Sequence, residues 1–193
     1  MRVPSLIYSP DTLHLKRWMM KNKPKLNEQK TEVLLCGPPS RRESVPVDSL
    51  QAGEASSPLS SVVKTLGVTL DVALSFDQHV LAVFRSCFFH VRSLNRVRSY
   101  LTRKAANRVA VSLILSKLDC CNSFLTGLPQ TQIKRLQATE SATARTVTKC
   151  RRTDHITPFL RQLHWLPVHD RTHHKVLYTT YLSVHGNAPL YLS

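Results

Sequence analysis

Residues 77–94 read DQHVLAVFRSCFFHVRSL, and this stretch decides the fold. Its apolar side chains recur every three or four residues, which is the spacing of one face of an α-helix. Asp77 is suited to cap that helix, because a carboxylate accepts hydrogen bonds from the free backbone N–H groups of the first turn. The stretch therefore predicts an amphipathic helix. Its buried face would consist of Val80, Phe84, Cys87, Phe88, Val91 and Leu94.

Four further helices are predicted after this one. Thr102 is an N-cap residue for the second helix. Pro129 opens the third and Pro158 a short fourth, because proline suits a first helical turn. The fifth spans residues 167–186, where glycine suits the C-terminal cap. The chain from Asp77 onward is thus expected to form a bundle of about five helices.

The residues before position 77 show a different pattern. A short helix is expected around Trp18, and a proline ends it. Apolar runs at 31–36 and 62–70 predict two β-strands. Between them, residues 40–61 are rich in Ser, Pro, Ala and Gly and predict a long exposed loop. The sequence therefore predicts an α+β fold that is mostly α, with one region at 1–76 and a basic helical domain at 77–193.

The composition limits the partners and the compartment. The net charge of +15 over 193 residues favours an anionic partner, either nucleic acid or an acidic membrane surface. No apolar run is long enough for a transmembrane helix, and no secretory signal is apparent. The five cysteines are odd in number and lack CxxC spacing, which indicates buried free thiols rather than disulfides. An intracellular protein is expected, and the choice between nucleus and cytoplasm stays open.

Basic residues concentrate on the predicted helices. Between residues 77 and 152 there are 14 basic and three acidic residues, so this segment carries +11 of the net charge. Cations spaced along helices suit contact with phosphates, and a solvated helical face is the alternative. Aromatic residues are few here, and most of them are needed for the core, so no stacking platform is expected. The candidate nucleic-acid contacts are Arg85, Arg92, Arg96, Arg103, Lys104, Arg108, Lys134 and Arg135.

A series of short motifs, in order along 18–193, resembles one family: the reverse transcriptases of LINE-type non-LTR retrotransposons, from the palm edge through the thumb. The matching residues are Trp18-Met19, Lys25-Leu26-Asn27, Lys30-Thr31-Glu32, Leu66-Gly67-Val68, Leu74-Ser75-Phe76, Ser86-Cys87-Phe88-Phe89, Leu118-Asp119-Cys120-Cys121-Asn122, Gly127-Leu128-Pro129, Leu136-Gln137, Asp154-His155-Ile156-Thr157-Pro158, Leu163-His164-Trp165-Leu166-Pro167-Val168, His185-Gly186 and Ala188-Pro189-Leu190-Tyr191-Leu192-Ser193.

The resemblance implies an RNA-directed DNA polymerase whose palm aspartates, including an adjacent Asp-Asp pair, hold two Mg²⁺ ions. Carboxylates suit that task because Mg²⁺ prefers oxygen ligands. This chain contains no Asp-Asp pair, and the fingers and most of the palm are expected to be missing. The chain is therefore expected to be an inactive fragment with no catalytic residue, no metal site and no cofactor of its own, which binds an RNA–DNA hybrid or duplex through the backbone.

Three residues of the first region acquire roles through the resemblance. Lys25 and Lys30 follow the position of the catalytic turn and would lie near the phosphates of the incoming nucleotide. The Leu66-Gly67-Val68 hairpin matches the primer grip, where Gly67 would let the backbone approach the primer terminus. The alternatives are a solvated loop lysine for Lys30 and a β-bulge for Gly67.

The sequence admits three other interpretations. Six histidines crowd the last 40 residues, and His169 and His173 are four apart. Without Cys or Glu partners, they favour a structural role over a zinc site. A domesticated helical module that binds a protein partner is the alternative function. A pseudogenic product without selected function is the third, since the chain stops where family members usually continue.

Overall fold

The computed structural model describes residues 17–22, 30–44, 49–52 and 55–192. The chain forms two compact units, Met1–Ser75 and Phe76–Ser193. The fold is α+β and mostly α, as the sequence predicts. Strands occur in the first unit, and long helices make up the second.

The first unit contains five short strands and two short helices among its described residues. Helix α1 covers 17–22. The other elements are β1 (Val33–Leu34), α2 (Pro39–Glu43), β2 (Ser49–Ala52), β3 (Ala55–Ser60), β4 (Val62–Thr65) and β5 (Val68–Asp71). Strand β3 lies between β1, to which it is parallel, and β2, to which it is antiparallel.

The prediction of a long loop over 40–61 was wrong, and so was the number of strands. This segment contributes most of α2 and the whole of β2 and β3. Its composition favours turns, but β2 and β3 pair over four residues each, from Ser49↔Pro58 to Ala52↔Ala55. The pairing of β2 with β3, and of β3 with the earlier strand β1, overrides the weak local preference of the segment. Pro58 is tolerated because β1 pairs with β3 only beyond it, at Leu59 and Ser60.

Strands β4 and β5 form a hairpin with a two-residue turn. Thr65 pairs with Val68, and Leu66 and Gly67 between them have positive φ values of 48° and 85°. Positive φ at both central residues is the signature of a type I′ turn, whose twist matches that of the two strands. The predicted β-run at 62–70 is thus two strands, joined by a turn at the position of the expected Leu66-Gly67-Val68 hairpin.

The second unit is the predicted bundle of five helical segments. They are α3 (Asp77–Val97), α4 (Arg103–Ala110) continued through a π-helical stretch (Val111–Leu115) into α5 (Ser116–Asp119), α6 (Gln130–Thr148), α7 (Thr157–Leu163) and α8 (Val168–Val184). The Thr102 side chain accepts a hydrogen bond from Ala105 N at 3.2 Å, which confirms the predicted cap. Asp77 is not a cap: Phe76 holds that position, and the Asp77 carboxylate accepts a hydrogen bond from Gln132 instead.

One apolar core holds the helices together. Helix α3 packs against α6 and α4 through Val80, Cys87, Val91 and Leu94. Small residues on the facing helices are fully buried, which lets the backbones approach closely. These residues are Ala106, Ala110 and Ala144. The positions that face away from this core are the ones available for contact with a partner.

Candidate nucleic-acid interface

Arg85, Arg92 and Arg96 lie together on the outer side of α3. Their spacing of seven and four residues keeps their side-chain directions within about 40° around the helix. All three are exposed, on the side away from the buried face of α3. We call these residues the α3 arginine face. Geometrically, they form a row of cations along a rigid helix.

Phe89 lies within the α3 arginine face, and the sequence interpretation missed it. Its side chain is 63 % exposed, because it is two residues from both Cys87 and Val91 and so points away from the core. Tyr100 and Phe124 are also exposed. The prediction that most of the five aromatic residues of this region are needed for the core was therefore wrong, since three of them are exposed. The helical period could have found Phe89, since it is absent from the predicted buried face.

The basic residues of α4 lie in its first two turns. Arg103 and Lys104 follow the Thr102 cap directly, and no acidic residue accompanies them in the first turn. Lys104 and Arg108 are one turn apart and share a side of the helix. All three are exposed. Cations at a helix N-terminus oppose the helix dipole, so this placement does not serve the stability of α4.

Lys134 and Arg135 lie in the first half of α6 and are both exposed. As consecutive residues they point about 100° apart around the helix. The structure therefore does not place them in one row, in contrast to the α3 arginine face. They can contact two different phosphates, or one of them can face solvent while the other binds.

Besides being exposed, the eight predicted contact residues share the lack of a carboxylate partner within the described part of the chain. Among the described residues, none of them forms an ion pair with a carboxylate; the ion pairs of this part of the chain involve His169, Arg171, Asp119, Glu140 and Asp170. The charges of the eight side chains are therefore available to an external anion.

Two other basic residues serve the fold. The Arg98 side chain is buried, with 7 % exposed. Its Nη2 donates to Val147 O at 2.7 Å, Nη1 donates to Leu101 O at 2.7 Å, and Nε donates to Thr146 O at 3.0 Å. Arg145 Nη1 donates to Asp154 O at 3.0 Å. Sequence alone could not separate these residues from the surface cations, because their acceptors are set by tertiary structure.

Arg171 is held by carboxylates instead. Its Nη1 lies 2.8 Å from both carboxylate oxygens of Asp119, and its Nε lies 3.1 Å from Glu140 Oε1. Glu140 is fully buried and also accepts a hydrogen bond from Gln137 at 2.9 Å. Burial raises the pKa of the Glu140 carboxyl above its usual range, although Arg171 and Gln137 oppose that shift. This cluster ties α5, α6 and α8 together.

The candidate residues of the first unit are Lys25, Lys30 and Gly67. Lys25 lies outside the described residues. Lys30 is exposed, which is compatible with either interpretation. Gly67 occupies the type I′ turn, so the β-bulge interpretation was wrong. A Cβ placed on Gly67 would meet no atom within 4 Å. The positive φ of this position favours glycine, and crowding within this unit does not.

The cysteine and histidine residues form no metal-binding cluster in the part of the chain that the structure describes. No three His, Cys, Asp or Glu side chains there lie close enough to hold a metal ion. Cys87 is buried, whereas Cys36 and Cys120 are exposed, so the prediction that most of the thiols are buried was wrong. Burial raises the pKa of the Cys87 thiol to about 11.

Comparison with known proteins adds no relative. No protein-family model, no curated protein sequence and no solved structure matches this chain. None of the described helices combines the length and the apolar character needed to cross a membrane. The candidate interface therefore stands on its residues and on their geometry.

Proposed function

We propose that the helical unit is a thumb-type module, related to the reverse transcriptases of LINE-type retrotransposons, that holds a nucleic-acid duplex by its backbone. The preferred ligand is an RNA–DNA hybrid, the product of copying RNA into DNA. Two things support this proposal: the ordered motif matches along 18–193, and the exposed basic residues of α3, α4 and α6.

The observation that carries the proposal is the absence of carboxylate partners for these cations. Eight exposed basic side chains on three helices have no ion pair among the described residues. Each such side chain can replace a condensed counterion at a phosphate, and release of that counterion drives binding. Contacts of this kind fix position on a duplex without reading its sequence, so the proposed binding is independent of sequence.

The proposed activity of these residues is binding rather than synthesis. Nucleotide addition needs several carboxylates around Mg²⁺, and this sequence contains no adjacent pair of aspartates. The Mg²⁺ of the resembling family therefore has no predicted ligand here. We expect no primer extension by the purified chain with Mg²⁺ and nucleotides, in a gel assay with an RNA template and a DNA primer.

The α3 arginine face provides the decisive variant. Replacement of Arg85, Arg92 and Arg96 by Gln removes three phosphate contacts, so affinity for a hybrid at low salt should fall about 100-fold, at about 1 kcal/mol per contact. Fluorescence anisotropy with a labelled hybrid measures this effect.

A matched triple variant controls for net charge. Lys64, Arg161 and Lys175 are exposed, and none of them forms an ion pair within the described part of the chain. Their replacement by Gln lowers the charge by the same amount, and we expect only a few-fold weaker binding. Equal losses in the two triple variants would contradict a localised interface.

A second candidate function is a module for protein interaction. It is favoured by the C-terminal half of α8, where Leu177, Tyr178, Tyr181 and Val184 are all more than half exposed. Clustered exposed apolar side chains are typical of interaction surfaces. Two results together would favour this function over the first. The α3 triple variant would bind hybrid normally, and L177S/Y181S would abolish association with protein in sedimentation velocity.

A further inference from the structure

A surface pocket lies where the end of α3 meets the end of α6. It has a volume of about 510 Å³. Four of its lining residues are basic: Arg98, Arg145, Lys149 and Arg152. Asn95 and Ser99 add an amide and a hydroxyl. We call these six residues the α6 pocket.

The charge of the α6 pocket is not cancelled. Arg98 and Arg145 donate to backbone carbonyls, which are neutral, and neither forms an ion pair with any carboxylate among the described residues. Asp154, the nearest acid along the chain, uses its carboxylate to accept from Arg151 N at 2.7 Å. The pocket therefore concentrates four positive charges without an internal anion.

The buried arginine makes this a built site rather than a patch of mobile surface lysines. Arg98 has five N–H donors, and its bonds to Leu101, Thr146 and Val147 fix the plane of the guanidinium. One hydrogen on Nη1 and one on Nη2 have no described acceptor. A guanidinium that is already held in place loses little entropy when it binds an oxyanion.

Two exposed cations complete the pocket, and the fold does not use them. Lys149 follows the last residue of α6 with a φ of 57°, and Arg152 lies three residues on. Neither side chain makes a hydrogen bond or ion pair with any described residue. Arg145 also keeps Nε and Nη2 free, because its described bonds all come from Nη1.

We infer that the α6 pocket binds a phosphoryl group. A phosphoryl dianion carries enough charge for several cations and enough oxygens for their N–H donors. The phosphoryl group can come from two sources. One is a backbone phosphate of the duplex, and for this source the inference deepens the proposed function and rests on it. The other source with the same chemistry is a free phosphate compound.

Cys150 supplies a reporter inside the pocket. It lines the same cavity and is a half-buried free thiol. Alkylation proceeds through the thiolate. A neighbouring phosphoryl anion disfavours the negatively charged thiolate, and it also blocks access of the alkylating reagent to the sulfur. Cys120 is exposed elsewhere on the helical unit and serves as the reactive reference, whereas buried Cys87 serves as the unreactive one.

The experiment measures alkylation of each cysteine in the native chain by mass spectrometry, with pyrophosphate against sodium chloride of equal ionic strength. We expect pyrophosphate to slow alkylation of Cys150 several-fold and to leave Cys120 unchanged. The K149Q/R152Q variant should lose this protection, and R161Q/K175Q, with the same charge, should keep it. Circular dichroism verifies that each variant is folded.

A second arm replaces pyrophosphate by the RNA–DNA hybrid. Protection of Cys150 by the hybrid supports a backbone phosphate as the source, whereas protection by pyrophosphate alone supports a free phosphate compound. An unchanged Cys150 rate in pyrophosphate overturns the α6 pocket, even if the hybrid binds and the proposed function survives. Protection by pyrophosphate without any hybrid binding overturns the proposed function and leaves the pocket intact.

Discussion

Two surface pockets of the helical unit each contain a largely buried arginine. The charge of that arginine is paired with carboxylates in one pocket and is not paired with any described carboxylate in the other. The first has a volume of about 400 Å³ and is lined by Asp119 and Arg171, among others. There the guanidinium meets two carboxylates. In the α6 pocket, Arg98 meets only backbone carbonyls. The first arrangement neutralises a cation to join helices, and the second leaves its charge for an external partner.

This contrast explains why a count of basic residues is a poor measure of a binding surface. Arg171 and Arg98 are equally positive, yet only one of them contributes to the field outside the protein. A buried cation paired with a carboxylate is part of the fold, because separation of the pair leaves an uncompensated charge. The same argument distinguishes Arg171 from the α3 arginine face.

The largest expected effect comes from Arg171→Met. The change removes the ion pair with Asp119 and leaves buried Glu140 without its cation, so we expect the free energy of unfolding at neutral pH to fall by about 3 kcal/mol. Urea denaturation measures it, with exposed Arg92→Met as the control, for which a change within about 0.5 kcal/mol is expected. Equal effects at both positions would remove the distinction between the two kinds of arginine.

Arg98→Met should cost less, about 2 kcal/mol. The change leaves the carbonyls of Thr146 and Val147 without their donor. The free-energy cost of leaving neutral groups unsatisfied is smaller than that of leaving a buried charge unpaired. The same denaturation experiment compares the two variants directly. A loss larger than that of Arg171→Met would show that Arg98 is held more tightly by its carbonyls than Arg171 is by its carboxylates.

The pH dependence of stability tests Glu140. Its pKa is raised in the folded state because of burial, so between the unfolded value near 4.5 and the folded value the native state binds more protons. The stabilisation from this group is complete below pH 4.5 and is lost as the pH rises through the folded pKa. Glu140→Gln should remove this component in urea titrations from pH 4 to 7. A wild-type curve that rises relative to the variant over this range would contradict the raised pKa.

The smallest expected effect on stability is at the α3 arginine face. Arg85→Gln, Arg92→Gln and Arg96→Gln remove exposed charges without ion pairs, so each should change the free energy of unfolding by no more than about 0.5 kcal/mol. Thermal denaturation of the three single variants checks this. A loss of 2 kcal/mol at any of them would mean that the arginine serves the fold, and would weaken its assignment to binding.

The sequence predicted those parts of the fold that depend on local pattern. The five helices and the Thr102 cap follow from period and from cap chemistry. Strands β2 and β3 were missed because their stability comes from pairing with each other and with β1, which a composition rich in Ser and Pro conceals.

For the candidate site too, the sequence predicted the features that depend on local pattern and missed those that depend on tertiary structure. Exposure of the eight cations follows from the helical period, and Phe89 could have been found in the same way. The internal roles of Arg98 and Arg145 could not, because their acceptors are backbone carbonyls that only tertiary structure brings near, such as Thr146 O, 48 residues from Arg98. The α6 pocket depends on that contact and so was also beyond the sequence.

The most direct test of the central claim is the salt dependence of hybrid binding by the full chain. If unpaired cations hold the backbone, log Kobs should fall linearly with log salt, with a slope of about −0.9 per phosphate contact and several contacts in total. The α3 triple variant should reduce the slope by about two to three units. A slope near zero for the wild-type chain, with measurable affinity, would contradict the account.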